Sequence, residues 1–125
     1  MWREGVTALG ITTSKTDGVT VLHLRGVIYF GEESASLRLR VKELLESSRQ
    51  IVLDLASVTH IDSGGLGALV AVYSSARKVG GEIKLANLGN RAKEVLKITK
   101  LVTVFEIFER AEDAAASLKR AATAI

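Results

Sequence analysis

The chain has no cysteine and no proline, only two histidines, and few aromatic residues. Without cysteine it can build neither a disulfide framework nor a thiolate metal site. His23 and His60 alone are too few for a histidine-rich metal site, so neither a metal nor a cofactor is expected. Aromatics make up 5% of the residues and do not alternate with Lys or Arg, as a base-stacking surface would require. Charge of one sign is also scarce as a run. The 17 basic and 14 acidic residues leave a net charge of +3, but they are interleaved and describe solvated helix faces. No nucleic acid is expected as a partner. No apolar stretch reaches the length of a signal-peptide core or a membrane span, so the expectation is a cytoplasmic protein that does not engage a membrane.

What is present suits one well-cored domain. A chain of 125 residues with 47% hydrophobic and 25% charged residues is ordinary for a soluble fold and too short for two comfortable domains. No repeat, low-complexity tract or linker interrupts it.

Strand-like and helix-like patterns alternate. "ITTSK" and "VTVLHLRG" flank Thr16-Asp17-Gly18, a tight-turn signal between period-2 runs, so residues 8–26 read as a β-hairpin. In "GEESASLRLRVKELLESS", Leu37, Val41, Leu44 and Leu45 recur at helical spacing, which predicts one buried stripe. Glu32 and Glu33 at its start suit the positive end of the helix dipole. "QIVLDLASV" is a β-branched run of buried-strand type, followed by a predicted loop, "THIDSG". A second helix is expected through "GLGALVAVYSSARKVG", with Leu66, Leu69, Val70, Tyr73 and Arg77 on one side, stopped by Gly80-Gly81. Then come a strand "EIKLANL", a short helix "RAKEVLKITKL", a strand "TVFEIF" and a closing helix "RAEDAAASLKRAA". The order argues for an α/β layer fold with right-handed crossovers between parallel neighbours.

The stretch "HIDSGGLG", residues 60–67, concentrates the polar chemistry. Its D-S-G-G letters match the surroundings of a serine-protease nucleophile. A nucleophilic serine, however, needs an oriented base and an oxyanion hole. His60 lies too close in sequence to form a relay with Asp62 and Ser63, and Ile61 stands where a G-x-S-x-G elbow needs glycine. His23, in mid-strand, reads as an intermittently buried histidine. The glycines lack the Lys-Ser/Thr of a phosphate-binding loop. Asp62 instead reads as a helix N-cap, accepting from the amides of Gly64 or Gly65. That puts Ser63, exposed, in the first turn. Gly64, Gly65 and Gly67 are poor helix formers, costing up to about 1 kcal/mol each against alanine. Two readings of them stand side by side: close approach of another molecule to the backbone, or tight packing of the helix on the sheet.

"IVLDL", the D-S-x-G-L-G turn, "GGEIKLANL", "VLKITKL", "VFEIF" and the "AED" opening the last helix occur in the order found in STAS domains. The chain resembles in particular the bacterial anti-sigma factor antagonists. The resemblance covers residues 11–119 and implies a single α/β domain over residues 11–125, after an N-terminal segment 1–10. Its central mixed sheet would have four to five strands with helices packed against it. It further implies a binding protein, not an enzyme, whose partner is an anti-sigma factor with a histidine-kinase-like ATP fold and serine kinase activity. Capture of that partner frees a sigma factor. Phosphorylation of the serine after the Asp of D-S-x-G, here Ser63, ends the capture, and a phosphatase acting on that residue would restore it. A monomer or weak homodimer is expected. The partner-binding surface so implied comprises Tyr29, Glu32, Glu33, Asp62, Ser63, Gly64, Gly65 and Gly67. Two positions depart from the pattern. Gly64 replaces a second hydroxyl residue, and Tyr29 replaces an acid common in the loop after the second strand. Either the partner differs or Glu32 and Glu33 supply the acidic contacts. Tyr29 and Phe30 are equally readable as core residues, Phe30 the more so. Two other functions fit a chain of this kind: a scaffold in a stress-signalling or lipid-transport assembly, and a nucleotide-binding domain resting on the glycine turn.

Overall fold

Near-continuous apolar runs give the central strands two buried faces, and the structure uses both. It is a computed structural model describing residues 8–123, with side chains described through residue 120. The expected N-terminal segment therefore lies largely outside the described residues. β1 (Leu9–Thr16) and β2 (Val19–Ile28) form the predicted antiparallel hairpin around Asp17-Gly18. α1 (Glu32–Leu44), β3 (Gln50–Ile61), α2 (Ser63–Lys78), β4 (Glu82–Ala86), α3 (Asn90–Ile98), β5 (Ile107–Phe108) and α4 (Ala111–Thr123) follow. The sheet order is β1-β2-β3-β4-β5, and every pair after the hairpin is parallel. The chain is thus a single α/β domain with a five-stranded mixed sheet and four α-helices among its described residues.

On one face Leu22, Leu24, Ile51, Leu53, Leu55, Ile83 and Leu85 meet α1, α2 and α3. On the other, Val19, Val21, Val52 and Ala86 meet α4 alone, through Ala111, Ala114, Ala115 and Leu118. Three alanines bring α4 close to the sheet, and Leu118 is its one large buried side chain there. Close packing of this kind leaves no slack to absorb a lost methyl group.

Four features differ from the sequence reading. β3 does not end before a Thr59–Gly64 loop but runs on to Ile61, because its outer half stays paired with β2. The pairing is kept by two irregularities in which β3 spends one residue more than β2, near Ala56 and near Thr59. Side chains serve the displaced groups: the Ala56 amide donates to Asp54 Oδ1, and Thr59 Oγ1 donates to the Gly26 carbonyl. Such bulges bend a strand and re-aim the residues beyond them. Second, the buried stripe of α2 is Gly65, Ala68, Leu69, Val72 and Ala76. Leu66, Val70 and Tyr73 pack only along its flank and Arg77 is exposed, because glycine and alanine let the backbone, not a bulky side chain, lie against the sheet. Third, "TVFEIF" keeps only two strand residues. Leu101–Thr103 form a 3₁₀ turn, and Phe105 leaves the strand direction to enter the core, edge-on to Tyr73. Fourth, β4 stops at Ala86, where Asn87 takes a left-handed conformation (φ 59°).

His23 is partly exposed and linked on both sides. Its Nδ1 lies 2.8 Å from Asp54 Oδ2 and its Nε2 2.9 Å from Ser14 Oγ. Asp54 also accepts from Asn87 Nδ2 at 2.8 Å. Burial, the largest influence, pushes the Asp54 carboxyl up, but the hydrogen bonds from Asn87, the Ala56 amide and His23 together hold it below the usual carboxylate range.

Since α4 alone covers its face, Leu118→Ala should destabilise the domain by about 2–5 kcal/mol, read as a lower urea midpoint with little change in slope. A shift under about 0.5 kcal/mol would mean that α4 contributes little to the described core.

Candidate functional site

Ile28 ends β2 and Ile61 ends β3, and the two are register partners. The chain segments leaving them are therefore neighbours: residues 29–31 leading into α1, and Asp62 leading into α2. Asp62 is an extended N-cap (φ −98°, ψ −175°). Its Oδ1 accepts from the Gly65 amide at 2.8 Å, so of the two expected donors the structure selects Gly65. The same carboxylate takes the Phe30 amide, at 3.0 Å on Oδ1 and 3.1 Å on Oδ2. One side chain thus caps α2 and also holds the loop before α1. The Gly65 amide first, and the Phe30 amide second, keep the Asp62 carboxyl below the usual aspartate range.

Ser34 provides a second tie. It is buried, and its Oγ lies 2.7 Å from the Tyr29 carbonyl oxygen and 3.2 Å from that of Gly64, so its single proton is shared between two carbonyls that leave adjacent elements. The sequence carried a signal for it: Ser34 falls on the same stripe of α1 as Leu37 and Val41, an isolated polar residue on an apolar face.

The glycines divide. A Cβ on Gly65 would stand 1.9 Å from the Ile28 carbonyl oxygen, and one on Gly64 would stand 2.3 Å from Phe30 Cβ. Both are therefore explained by packing within the chain. Gly67 has open space where a Cβ would point and is exposed; of the two readings, only here does approach by another molecule remain.

Ser63 opens α2 and is exposed. Beside it, Phe30 is not core: it is 81% exposed, because Asp62 fixes its amide and Gly31, in a left-handed conformation (φ 105°), turns the chain into α1. Tyr29 is 38% exposed, with its carbonyl held by Ser34. Glu32 is exposed in the first turn of α1. Glu33 turns toward the hairpin, where its carboxylate accepts from the Ala8 amide at 3.3 Å. The structure thus gathers Tyr29, Phe30, Glu32, Ser63, Gly64 and Gly67 on one open surface and takes Gly65 and the Asp62 carboxylate into the scaffold beneath it. Sequence reading missed Phe30 as a surface residue. No group of three or more metal-ligating side chains occurs among the described residues, and none of their helices is long and apolar enough to cross a membrane.

The STAS domain family model matches residues 10–114. The chain is similar to BtrV of Bordetella bronchiseptica, provisionally named an anti-sigma factor antagonist: 30% identity over 111 residues, which is 89% of this chain and 96% of that one. It is also similar to the anti-sigma-B factor antagonist of Bacillus subtilis, with 33% identity over 76 residues, 61% of this chain and 70% of that one. In three dimensions it matches the crystal structure of an anti-sigma factor antagonist from Mycobacterium paratuberculosis with a TM-score of 0.76, covering 89% and 94% of the two chains at 22% identity. That last likeness establishes the fold.

The contact at Gly65 is the tightest test of this geometry. Gly65→Ala should cost about 1–3 kcal/mol or more, because the Ile28 carbonyl cannot retreat without breaking the ladder. Gly67→Ala should gain or lose less than about 1 kcal/mol. Equal urea midpoints for the two variants would contradict the packing described. Asp62 sets a pH signature. Its folded-state pKa is depressed, so its contribution is present above the ordinary aspartate value of about 3.9 and fades as pH falls through the folded value. The stability gap between wild type and Asp62→Asn should therefore be widest near neutrality and narrow steadily below about pH 4. A gap independent of pH would show that the carboxylate is not engaged.

Proposed function

Since this chain belongs to the STAS domain family, we propose that it is an anti-sigma factor antagonist: a binding module that captures an anti-sigma factor serine kinase and is released when that kinase phosphorylates Ser63. The observation that carries the reading is the position of Ser63. Its hydroxyl opens a helix on an exposed surface, behind a carboxylate that already holds the Gly65 amide and next to a phenylalanine that is mostly exposed. The names of the relatives support the antagonist role. The kinase and the modification are inferences from the D-S-x-G-L-G pattern and this geometry.

An exposed aromatic beside a small, flat glycine turn suits a partner pocket. Buried aromatic anchors dominate binding energy, while neighbouring small residues let the surfaces close. Phosphorylation would add about −1.5 to −2 charge at Ser63. A bare helix N-terminus welcomes an anion. Here the Asp62 carboxylate already accepts from Gly65 and Phe30, so a phosphate would meet an adjacent negative charge and find the Gly65 amide already taken. Glu32 lies in the neighbouring first turn. An interfacial charge without a partner costs on the order of 2–5 kcal/mol, a loss of tens- to thousands-fold in affinity. The fold need not change. Tyr29, in place of the acid of many relatives, makes this contact surface less charged and shifts its selectivity toward a partner with an apolar or aromatic complement.

Ser63→Ala should bind the kinase as wild type does, whereas Ser63→Glu should bind at least tenfold more weakly, by calorimetry with the cognate kinase. Phe30→Ala should weaken binding by tenfold or more while leaving stability nearly unchanged. After incubation with kinase and ATP, mass spectrometry should locate phosphate on Ser63; phosphate found only elsewhere would overturn the mechanism.

A further inference from the structure

Behind the open surface lies a cavity of about 160 Å³. It lies along the outer half of β3 and past the carboxyl end of β4, the side of the sheet on which ligands enter open α/β folds. Its wall is aliphatic: Leu55, Val58, Leu69, Leu88 and Val95 contribute from β3, α2, the β4–α3 connection and α3. Two ionisable residues join that lining, Arg91 and His60, and no carboxylate does. Among the described residues neither side chain makes a hydrogen bond or ion pair. The buried basic side chain Lys84, by contrast, is fully engaged: it pairs with Glu106 and Ser117 and lies over the Phe108 ring.

We infer that this cavity is a binding site for a small apolar monocarboxylate, with its carboxylate on the Arg91 guanidinium and its hydrocarbon body among the leucine and valine side chains. Size sets the body. A dry cavity of about 150 Å³ lined by aliphatic and aromatic side chains holds one benzene ring, so a chain of about six carbons or one ring fills this one. Charge sets the head. A guanidinium offers paired donors matched to a carboxylate, and with no acid in the lining a cationic head would meet only repulsion. The first turn of α3 adds to the same sign, since its N-cap Gly89 supplies no side-chain cap. Ile61 and Leu66 line the cavity too, and they flank Asp62 and Ser63 in sequence. The occupant would therefore rest directly beneath the residues of the open surface. The inference does not depend on what that surface binds.

The test is a heteronuclear NMR titration of the full chain with sodium hexanoate, with hexylammonium chloride as the control of opposite charge. Hexanoate should give saturable shifts confined to residues 58–61, 66–69 and 88–96, and hexylammonium should give none there. Arg91→Gln, at an exposed position, should keep the fold and weaken hexanoate by about tenfold or more, the worth of a charge-assisted hydrogen bond. Ala92→Leu, which adds volume inside the cavity, should abolish the shifts. Non-saturable or scattered shifts, equal binding of the two probes, or an Arg91→Gln variant that binds hexanoate as wild type does would each overturn the inference.

Discussion

The Asp62 carboxylate is the tie on which the functional end of this domain depends. Two parallel strands end side by side at Ile28 and Ile61, and the chain must leave each of them into a helix. Amides at both departures need acceptors, and one carboxylate serves the Gly65 and Phe30 groups together. Because those bonds favour the charged form, the acid stays ionised to lower pH than a free aspartate would. The arrangement can exist only if α2 comes close enough for the Ile28 carbonyl to sit against Gly65, where any side chain would collide. A charge and a missing side chain are thus coupled requirements: either alone would leave the two helix starts at the wrong separation.

What sequence made legible follows from how local each interaction is. The Asp62 cap spans three residues and Ser63 follows it directly, so both were readable from chain order. The hairpin around Asp17-Gly18 was readable for the same reason. Phe30 leaned toward core in the sequence because its outward position is imposed from 32 residues away by Asp62, and its hydrophobicity gives no hint of that. The buried stripe of α2 was misplaced because leucine, valine and tyrosine dominate a pattern search, whereas the helix rests on glycine and alanine. The length of β3 was hidden by its bulges: an added residue near Ala56 and another near Thr59 break the alternation that marks a strand, yet Asp54 and the Thr59 hydroxyl satisfy the groups displaced.

The same contrast separates the glycines. Pattern alone weighed close approach by another molecule against packing within the chain. Gly64 and Gly65 belong to packing, since Phe30 and the Ile28 carbonyl occupy the space a side chain would need. Gly67 borders open space on the exposed side of α2. A motif that looks uniform in sequence therefore divides into Gly65, which sets the distance between helix and sheet, Gly64, which seats Phe30, and Gly67, which leaves the outer surface smooth.

This division bears on how a switch at Ser63 could act. Were the phosphate acceptor part of the scaffold, modification would have to deform the sheet, and the cost would fall on folding. Ser63 instead stands one residue outside a rigid frame: Asp62 and Gly65 are fixed by short hydrogen bonds and contact, and Ser34 pins the carbonyls of Tyr29 and Gly64 on the other flank. A charge added there would find the Gly65 and Phe30 amides already bound to Asp62. Its energy is expressed in whatever molecule shares the surface, which is where a regulator acting by release needs it. A fixed frame around an exposed hydroxyl is accordingly what would let a small domain change its affinity without changing its shape, were Ser63 modified as proposed.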